Sequence, residues 1–417
     1  MTDIDGFDLI APEAYGKRGV PHEQWRVLRQ LDHLHHCAPE GFDPFYPVVR
    51  HDQICEISKQ PHRFLNSFGI VLETQTQKAI IEADQGLARM RSIIGMDPPE
   101  HREYRKVAAP WFTPRAIERI APIVEESARH LVDTLVERAS DGVGECEFAS
   151  EIAAAHPLRV LSTILGVPRA REPQLLRLTN ELFASDDPEL QRKGEDRNAA
   201  VQALAIEFFQ LFSQIIAERR ANPTDDLASL LANAKVNGEP MGMMETLGYY
   251  LITFTAGHDT TKNALAGGIH ALAEHPGEFE KLEANPELAP SAVEEIVRWA
   301  SPVNYMKQVV AEDLEFRGQK LRRGENLVLF YASANRDERV FEDPYTFRID
   351  RTPNPHLAFG IGEHFCLGTH LARQSQRALL RELARRIDHL ELAGEPERIA
   401  SSFVVGLKRL PIRYRLR

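Results

Sequence analysis

Cysteine is scarce in this chain: there are four in 417 residues, at positions 37, 55, 146 and 366. Spaced so widely they make no disulfide framework, which fits a reducing compartment, and each is by default a buried thiol. A secretory leader is missing too. The opening "MTDIDGFDLIAPEAYG" has no basic and then apolar run, so the protein is expected in the cytoplasm. No apolar stretch approaches the roughly 20 residues needed to cross a bilayer; the nearest, "YYLITFTAG", breaks off at His258 and Asp259. Positive charge is not in excess, the formal net charge being -11, which argues against nucleic acid or an anionic membrane as a partner of the whole protein. There is no nicotinamide fingerprint after a strand, no phosphate loop with its Lys-Ser/Thr ending, no internal repeat and no low-complexity tract.

What is present is an ordinary globular composition, 43% hydrophobic and 27% charged, in a chain long enough for one large domain or two or three average ones. Helical periodicity dominates from about 114 to 300: "IERIAPIVEESARHLVDTLVERA", "NAAVQALAIEFFQLFSQIIAERRA" and "METLGYYLITFTAGHDTTKNALAGGIHALAEH" set apolar residues three or four apart. Short strand patterns occur in "FYPVVR", in "DLEFRGQKLRRGENLVLFY" and in the C-terminal "LPIRYRLR". The proline clusters are turns, none long enough for a linker. We therefore expect one mainly α domain spanning 1–417 with a minor β subregion. The stretch from about 60 to 95 has weak periodicity and reads as a mobile loop beside a site.

The chemistry concentrates in "FGIGEHFCLG", residues 359 to 368. Gly360 and Gly362 permit backbone angles closed to other residues, and "LGTHLARQSQRALLRELARRI" then begins a strong helix pattern, so Cys366 falls at or just before a helix N-terminus. The unpaired N–H groups and positive dipole end there stabilise a thiolate, by about 0.3 to 1 kcal/mol for the dipole alone. An isolated cysteine is usually structural. Here F-G-x-G-x-H-x-C-x-G fixes six positions, and at roughly 5% usage each a chance match in this length is on the order of one in 100,000. The segment resembles the haem-binding loop of the cytochrome P450 family.

That resemblance implies a P450 fold, haem b (iron protoporphyrin IX) as cofactor and Cys366 as the thiolate ligand of its iron. It implies that His364 bonds a haem propionate, that Phe359 and Gly360 belong to the cofactor loop, and that backbone N–H groups near Gly368 moderate the sulfur's charge. "TAGHDTTKN", residues 255 to 263, places Gly257 and the poor helix formers Asp259, Thr260 and Thr261 inside a helix, and the Thr260 hydroxyl can reach back to the Ala256 carbonyl. A kinked core helix explains this equally well. It also resembles the family's oxygen-binding groove, where Thr260 would hydrogen-bond dioxygen, Asp259 would relay protons from solvent and Ala256 would lie against the haem.

"EEIVRW" holds Glu295 and Arg298 at i, i+3, ordinarily a weak surface pair. It is similar to the family's E-x-x-R, which locks the haem-side core, with Arg351 as a third member. In "MDPPEHREYRKVAAPWFTP", His101 and Arg105 sit one turn apart on a helix opened by two prolines, and the resemblance makes them propionate ligands. One position departs from the family pattern: where relatives carry an arginine for a propionate, this chain has Gln308, with Lys307 expected on the opposite strand face. The resemblance runs from roughly residue 45 to the C-terminus and is greatest to soluble bacterial members of the terpineol-hydroxylase type.

The function implied is a monooxygenase that uses dioxygen to hydroxylate a small apolar substrate of terpenoid, aromatic hydrocarbon or steroid class. Ile252, Thr255, Asn304, Phe403 and Val404 are the family positions for pocket contacts. Electrons would come ultimately from NAD(P)H through a ferredoxin reductase and an iron–sulfur ferredoxin, docking on Arg102, Lys106, Arg373 and Arg377. The competing readings are a haem-thiolate peroxygenase, a non-catalytic haem sensor, and a non-haem metal protein built on His33, His35, His36 and Cys37 in "HLHHC". That last cluster reads by default as a helix surface or a buried polar edge.

Overall fold

Helices dominate because apolar residues recur at three and four, and three of these helices frame the molecule. The computed structural model describes residues 4–83, 91–184, 186–192 and 197–417. Pro114–Arg138 starts on Thr113, whose hydroxyl oxygen accepts the Ala116 N–H, and it buries Ile117, Ile120, Val124, Ala128, Leu131 and Leu135 along one side. Arg197–Ala221 follows, and then Met243–Glu274, a helix of 32 residues enclosed by neighbours that include Ala155–Ile164 and Ala289–Ala300.

The expectation that no apolar stretch is long enough to cross a membrane needs correction. By length and composition alone Ala199–Ala221 is such a helix. Part of that composition has a packing reason, because Leu204, Phe208, Leu211, Phe212, Ile215 and Ile216 are buried in the protein core while Ile206 and Phe209 are exposed.

The expected strands form where the patterns place them. A four-stranded sheet has the order Phe45–Val48, Asn326–Phe330, Tyr305–Val310, Phe64–Leu65, the first pair parallel and the others antiparallel. Ile387–Leu392, Pro411–Leu416 and Val143–Glu147 make a three-stranded antiparallel sheet.

Residues ahead of the first strand are built into this frame. The Tyr15 hydroxyl donates to the Leu9 carbonyl at 2.7 Å and accepts from Asn304 Nδ2 at 3.0 Å. Arg29 is fully buried, donating to Glu338 at 3.0 and 2.9 Å and to Ser333 Oγ at 2.9 Å. Trp25 packs on Phe330.

Two further sequence readings are corrected. The stretch from 60 to 95 is not one loop: it holds the strand Phe64–Leu65, the helix Gln75–Ala83 and a 3-10 turn at Ile93–Gly95, while 84–90 lie outside the described residues. "HLHHC" is not a helix surface. It is irregular chain in which Cys37 bridges Phe45, His33 and His36 are exposed, and His35 Nε2 pairs with the Ile4 carbonyl. Among the described residues no group of three or more His, Cys, Asp or Glu side chains could hold a metal ion.

The Glu295–Arg298 pair is no surface bridge. Both side chains are at zero exposure, and Arg298 Nε and Nη2 each meet the carboxylate at 2.7 Å. Arg351 Nε joins at 3.1 and 3.2 Å, with the Arg348 N–H at 3.0 Å and Asn354 Nδ2 at 3.2 Å. The guanidinium groups spend their other donors on the carbonyls of Asn335, Pro344, Glu342 and Thr346. A buried charge set is tolerable only when satisfied this completely, and so it fixes the chain from 335 to 354 beneath the cysteine loop.

Candidate active site

Backbone geometry makes the cysteine loop. Gly360 and Gly362 adopt φ of 69° and 77°. A Cβ on Gly362 would also fall inside 3.0 Å of the Ser58 carbonyl, so this turn closes only around glycine. The Cys366 N–H donates to the Phe359 carbonyl at 2.8 Å, and the helix Thr369–Arg386 begins three residues on. Burial pushes the half-exposed thiol up, while the Gly368 N–H donated to it and the charges of Arg105 and Arg373 pull it back. Cys37 and Cys146, by contrast, are pushed by burial to about 12.

Above the loop, the helix Glu100–Ala108 presents His101 and Arg105 on one face. His101 is fully buried; its Nδ1 faces Glu363 Oε1 at 3.3 Å and its Nε2 has no partner. Its ring lies 4.3 Å from that of His364, which burial and the neighbouring His101 and Arg105 lower to about 4. Arg105 Nη2 donates to the Phe365 carbonyl at 2.6 Å. Gln308 is buried: Nε2 donates to Asn66 Oδ1 at 2.9 Å and Oε1 has no partner. Lys307 points the other way, as strand alternation requires, and donates Nζ to the Phe68 carbonyl at 2.9 Å.

These groups suit a haem. The sulfur has a backbone donor and two cations near it, and an orphaned buried imidazole nitrogen stands one helical turn from an arginine, an arrangement that a propionate carboxylate would complete.

On the helix Met243–Glu274, packing leaves one stripe open: Ile252, Thr253, Ala256, Gly257 and Thr260 are half-exposed, while Phe254, Thr255, His258, Asp259 and Thr261 are buried. A Cβ on Gly257 would stand 3.1 Å from Leu161, so a side chain there would press on the neighbouring helix. Thr260 Oγ1 donates to the Ala256 carbonyl at 2.6 Å. Asp259 is 2% exposed and fully engaged, Oδ1 with Lys262 Nζ at 3.0 Å and Oδ2 with Asn263 Nδ2 at 3.1 Å. Lys262 Nζ also reaches Asn180 Oδ1 at 3.3 Å. Asp259 thus does not meet solvent directly.

Of the pocket residues expected from sequence, Ile252 and Phe403 are half-exposed, whereas Thr255, Asn304 and Val404 are buried, Asn304 with its Oδ1 unpartnered. Thr255 lies off the open stripe and donates to the Leu251 carbonyl at 2.7 Å. Asn304 Nδ2 is spent on Tyr15 and on the Ser402 carbonyl at 2.7 Å, and Val404 bridges Val303. Of the four cations expected to meet a donor, three are paired, Arg102 with Glu363, Lys106 with Glu103 and Arg373 with Glu294. Sequence reasoning missed Lys262, Glu363 and Glu294. Only Lys262 carried a local signal, at i+3 from Asp259.

The Cytochrome P450 family model matches residues 58–416. Cytochrome P450-terp from a Pseudomonas species is 36% identical over 97% of this chain and 96% of that protein. Linalool 8-monooxygenase from Pseudomonas putida is 33% identical over 97% and 98%. The crystal structure of CYP108D1 from Novosphingobium aromaticivorans superposes with a TM-score of 0.90 at 37% identity, covering 99% of this chain and 98% of that one.

Proposed function

We propose, from the premise that this chain belongs to the cytochrome P450 family and is one of its monooxygenases, that it hydroxylates a small terpenoid-like substrate with electrons from a ferredoxin in the cytoplasm. The observation that carries the substrate class is the open stripe of the long helix, where Ile252 and Ala256 offer apolar surface and Thr253 and Thr260 uncharged hydroxyls. Such a lining rewards shape and apolar area rather than charge. Similarity to a relative named for linalool, a terpene alcohol, supports the same class.

Cys366, His101 and Arg105 would hold the haem, which would supply the oxidation of an unactivated C–H bond by dioxygen. This chain's own residues position the substrate and deliver protons. Burial raises the Cys366 thiol, and the Gly368 N–H with the charges of Arg105 and Arg373 opposes that rise, so these groups would favour the thiolate that iron ligation needs. The Thr260 side chain has two accessible rotamers in a helix, one bonded to the carbonyl four residues back. In the other, its proton at Oγ1 is released towards the open stripe. A proton reaching Asp259 would pass through Lys262 Nζ, which donates to Asp259 Oδ1 and to Asn180 Oδ1, because Asn263 holds the other Asp259 oxygen and the group does not touch solvent.

The test is a carbon monoxide difference spectrum of the reduced, haem-loaded protein, then a screen of terpenoids, alkyl aromatics and steroids for displacement of iron-bound water. Product formed under labelled dioxygen should carry one labelled atom. An imidazole-type carbonyl spectrum would sink the reading, and turnover driven only by peroxide would replace it with the peroxygenase one.

A further inference from the structure

Beside the cysteine loop lies a charge cluster assembled from three separate segments of the chain. Glu294, the residue before the buried Glu295, takes Arg373 Nε and Nη2 at 2.7 Å each. The same carboxylate meets His356 Nε2 at 3.1 Å. Because the Ala358 N–H donates to His356 Nδ1 at 3.3 Å, the imidazole proton sits on Nε2 and His356 is a donor to Glu294. Arg373 Nη1 donates to Thr369 Oγ1 at 3.1 Å. The guanidinium carbon lies 4.7 Å from the centre of the Phe359 ring, which also meets the His356 ring at 5.8 Å, and the Phe359 carbonyl accepts the Cys366 N–H.

An exposed ion pair fixes little, but here the cation is held on four sides: a two-pronged carboxylate, a hydroxyl, an aromatic face and the helix that carries it. Its position relative to the Cys366 sulfur is therefore set, with Glu294 as the compensating anion. Adding an electron to iron makes the centre more negative, so a fixed cation favours the reduced form and a fixed anion opposes it.

We infer that Arg373, clamped by Glu294 and His356, is a positioning residue that sets how readily the haem accepts its first electron. The step is the gain of one electron by iron, with no proton transferred and no bond made or broken. The inference rests on the reading of Cys366 as the iron's sulfur ligand.

The experiment is a spectroelectrochemical titration of haem-loaded, substrate-free protein with redox mediators, with the carbon monoxide spectrum recorded for each variant. Arg373→Gln should lower the reduction equilibrium constant by about three- to tenfold, and Glu294→Gln should raise it by about two- to threefold. Arg373→Lys keeps the charge but loses the fork, and should stay within about twofold of the unsubstituted protein. A purely structural cluster would move both glutamine variants the same way and make the lysine variant follow Arg373→Gln. Either pattern, or no shift at all, overturns the inference. Should Arg373→Gln lose its haem, the other two variants decide by the same criteria. An imidazole-type carbonyl spectrum in the unsubstituted protein would instead overturn the ligand reading itself.

Discussion

Alanine at each of the three glycines of the cysteine loop separates backbone strain from close approach. Gly360→Ala meets only the cost of a left-handed φ, about 1–2 kcal/mol, because the nearest atom to its Cβ is 3.8 Å away. Gly362→Ala adds an encounter with the Ser58 carbonyl, a backbone atom that cannot rotate aside. Overpacking of that kind costs about 1–3 kcal/mol more, for a total of roughly 2–5 kcal/mol. Gly368→Ala has φ of -84° and nothing within 4 Å of the new Cβ, so it should be neutral within about 0.5 kcal/mol while keeping the N–H donated to the sulfur. For a chain of this length 1 kcal/mol corresponds to about 1 °C in melting temperature. The series read by thermal melting of the haem-loaded proteins should therefore run Gly368→Ala unchanged, Gly360→Ala lower by about 1–2 °C and Gly362→Ala lower by about 2–5 °C. Carbon monoxide spectra should show ligand loss in the same order. If Gly362→Ala melts with Gly360→Ala, the contact with Ser58 yields freely and the account of the loop is wrong.

Thr260→Ala should divert most reducing equivalents to peroxide while Thr260→Ser restores product; equal product yield from both removes Thr260 from proton delivery. Lys262→Met leaves Asp259 buried with Asn263 as its partner and no counter-charge, and should raise the solvent isotope effect on turnover; an unchanged isotope effect would place the relay elsewhere. Glu295→Gln strips a buried pair of one charge, which typically costs about 3–5 kcal/mol, so soluble haem-loaded protein should be nearly absent at 37 °C. Burial raises the Glu294 carboxyl, but His356 and Arg373 outweigh it and hold the group at about 2. Its contribution to stability is therefore complete above the ordinary glutamate value and is lost as pH falls towards 2, so Glu294→Gln should flatten that part of the acid-unfolding profile. Because Arg102, Lys106 and Arg373 are already paired, electron transfer from an acidic donor should slow only a few-fold between low and physiological salt; a far steeper dependence would mean the pairs open on docking.

Local pattern made much of this legible. The helices at 114–138, 197–221 and 243–274, the strand runs and the cysteine turn each carry their cause within a few neighbouring residues. The same holds for Thr260, whose bond to Ala256 is a four-residue contact. What the chain hides are partnerships across large separations. Glu294 meets Arg373 and Glu363 meets Arg102 and His101 only after the helices pack, and nothing near any of these residues announces its partner. From spacing alone Glu295 and Arg298 look like a surface pair, and only the family resemblance brings in Arg351 from 56 residues away. The buried pocket residues differ in how far the sequence foretold their burial. Thr255 lies off the face of Thr260 by helix geometry that the sequence does contain, since positions three, four, seven and eight before Thr260 share its face and the fifth does not. Asn304 was claimed by Tyr15, which no local pattern could reveal.

The family match begins at residue 58, yet the frame does not. Arg29 supports the turn at Ser333, Tyr15 holds the asparagine that opens the third strand, and Phe45–Val48 closes one side of the sheet. Anyone shortening this enzyme to its recognisable portion for fusion or crystallisation would remove a keystone rather than a tail, and should expect insoluble material from a cut that an alignment alone makes look harmless.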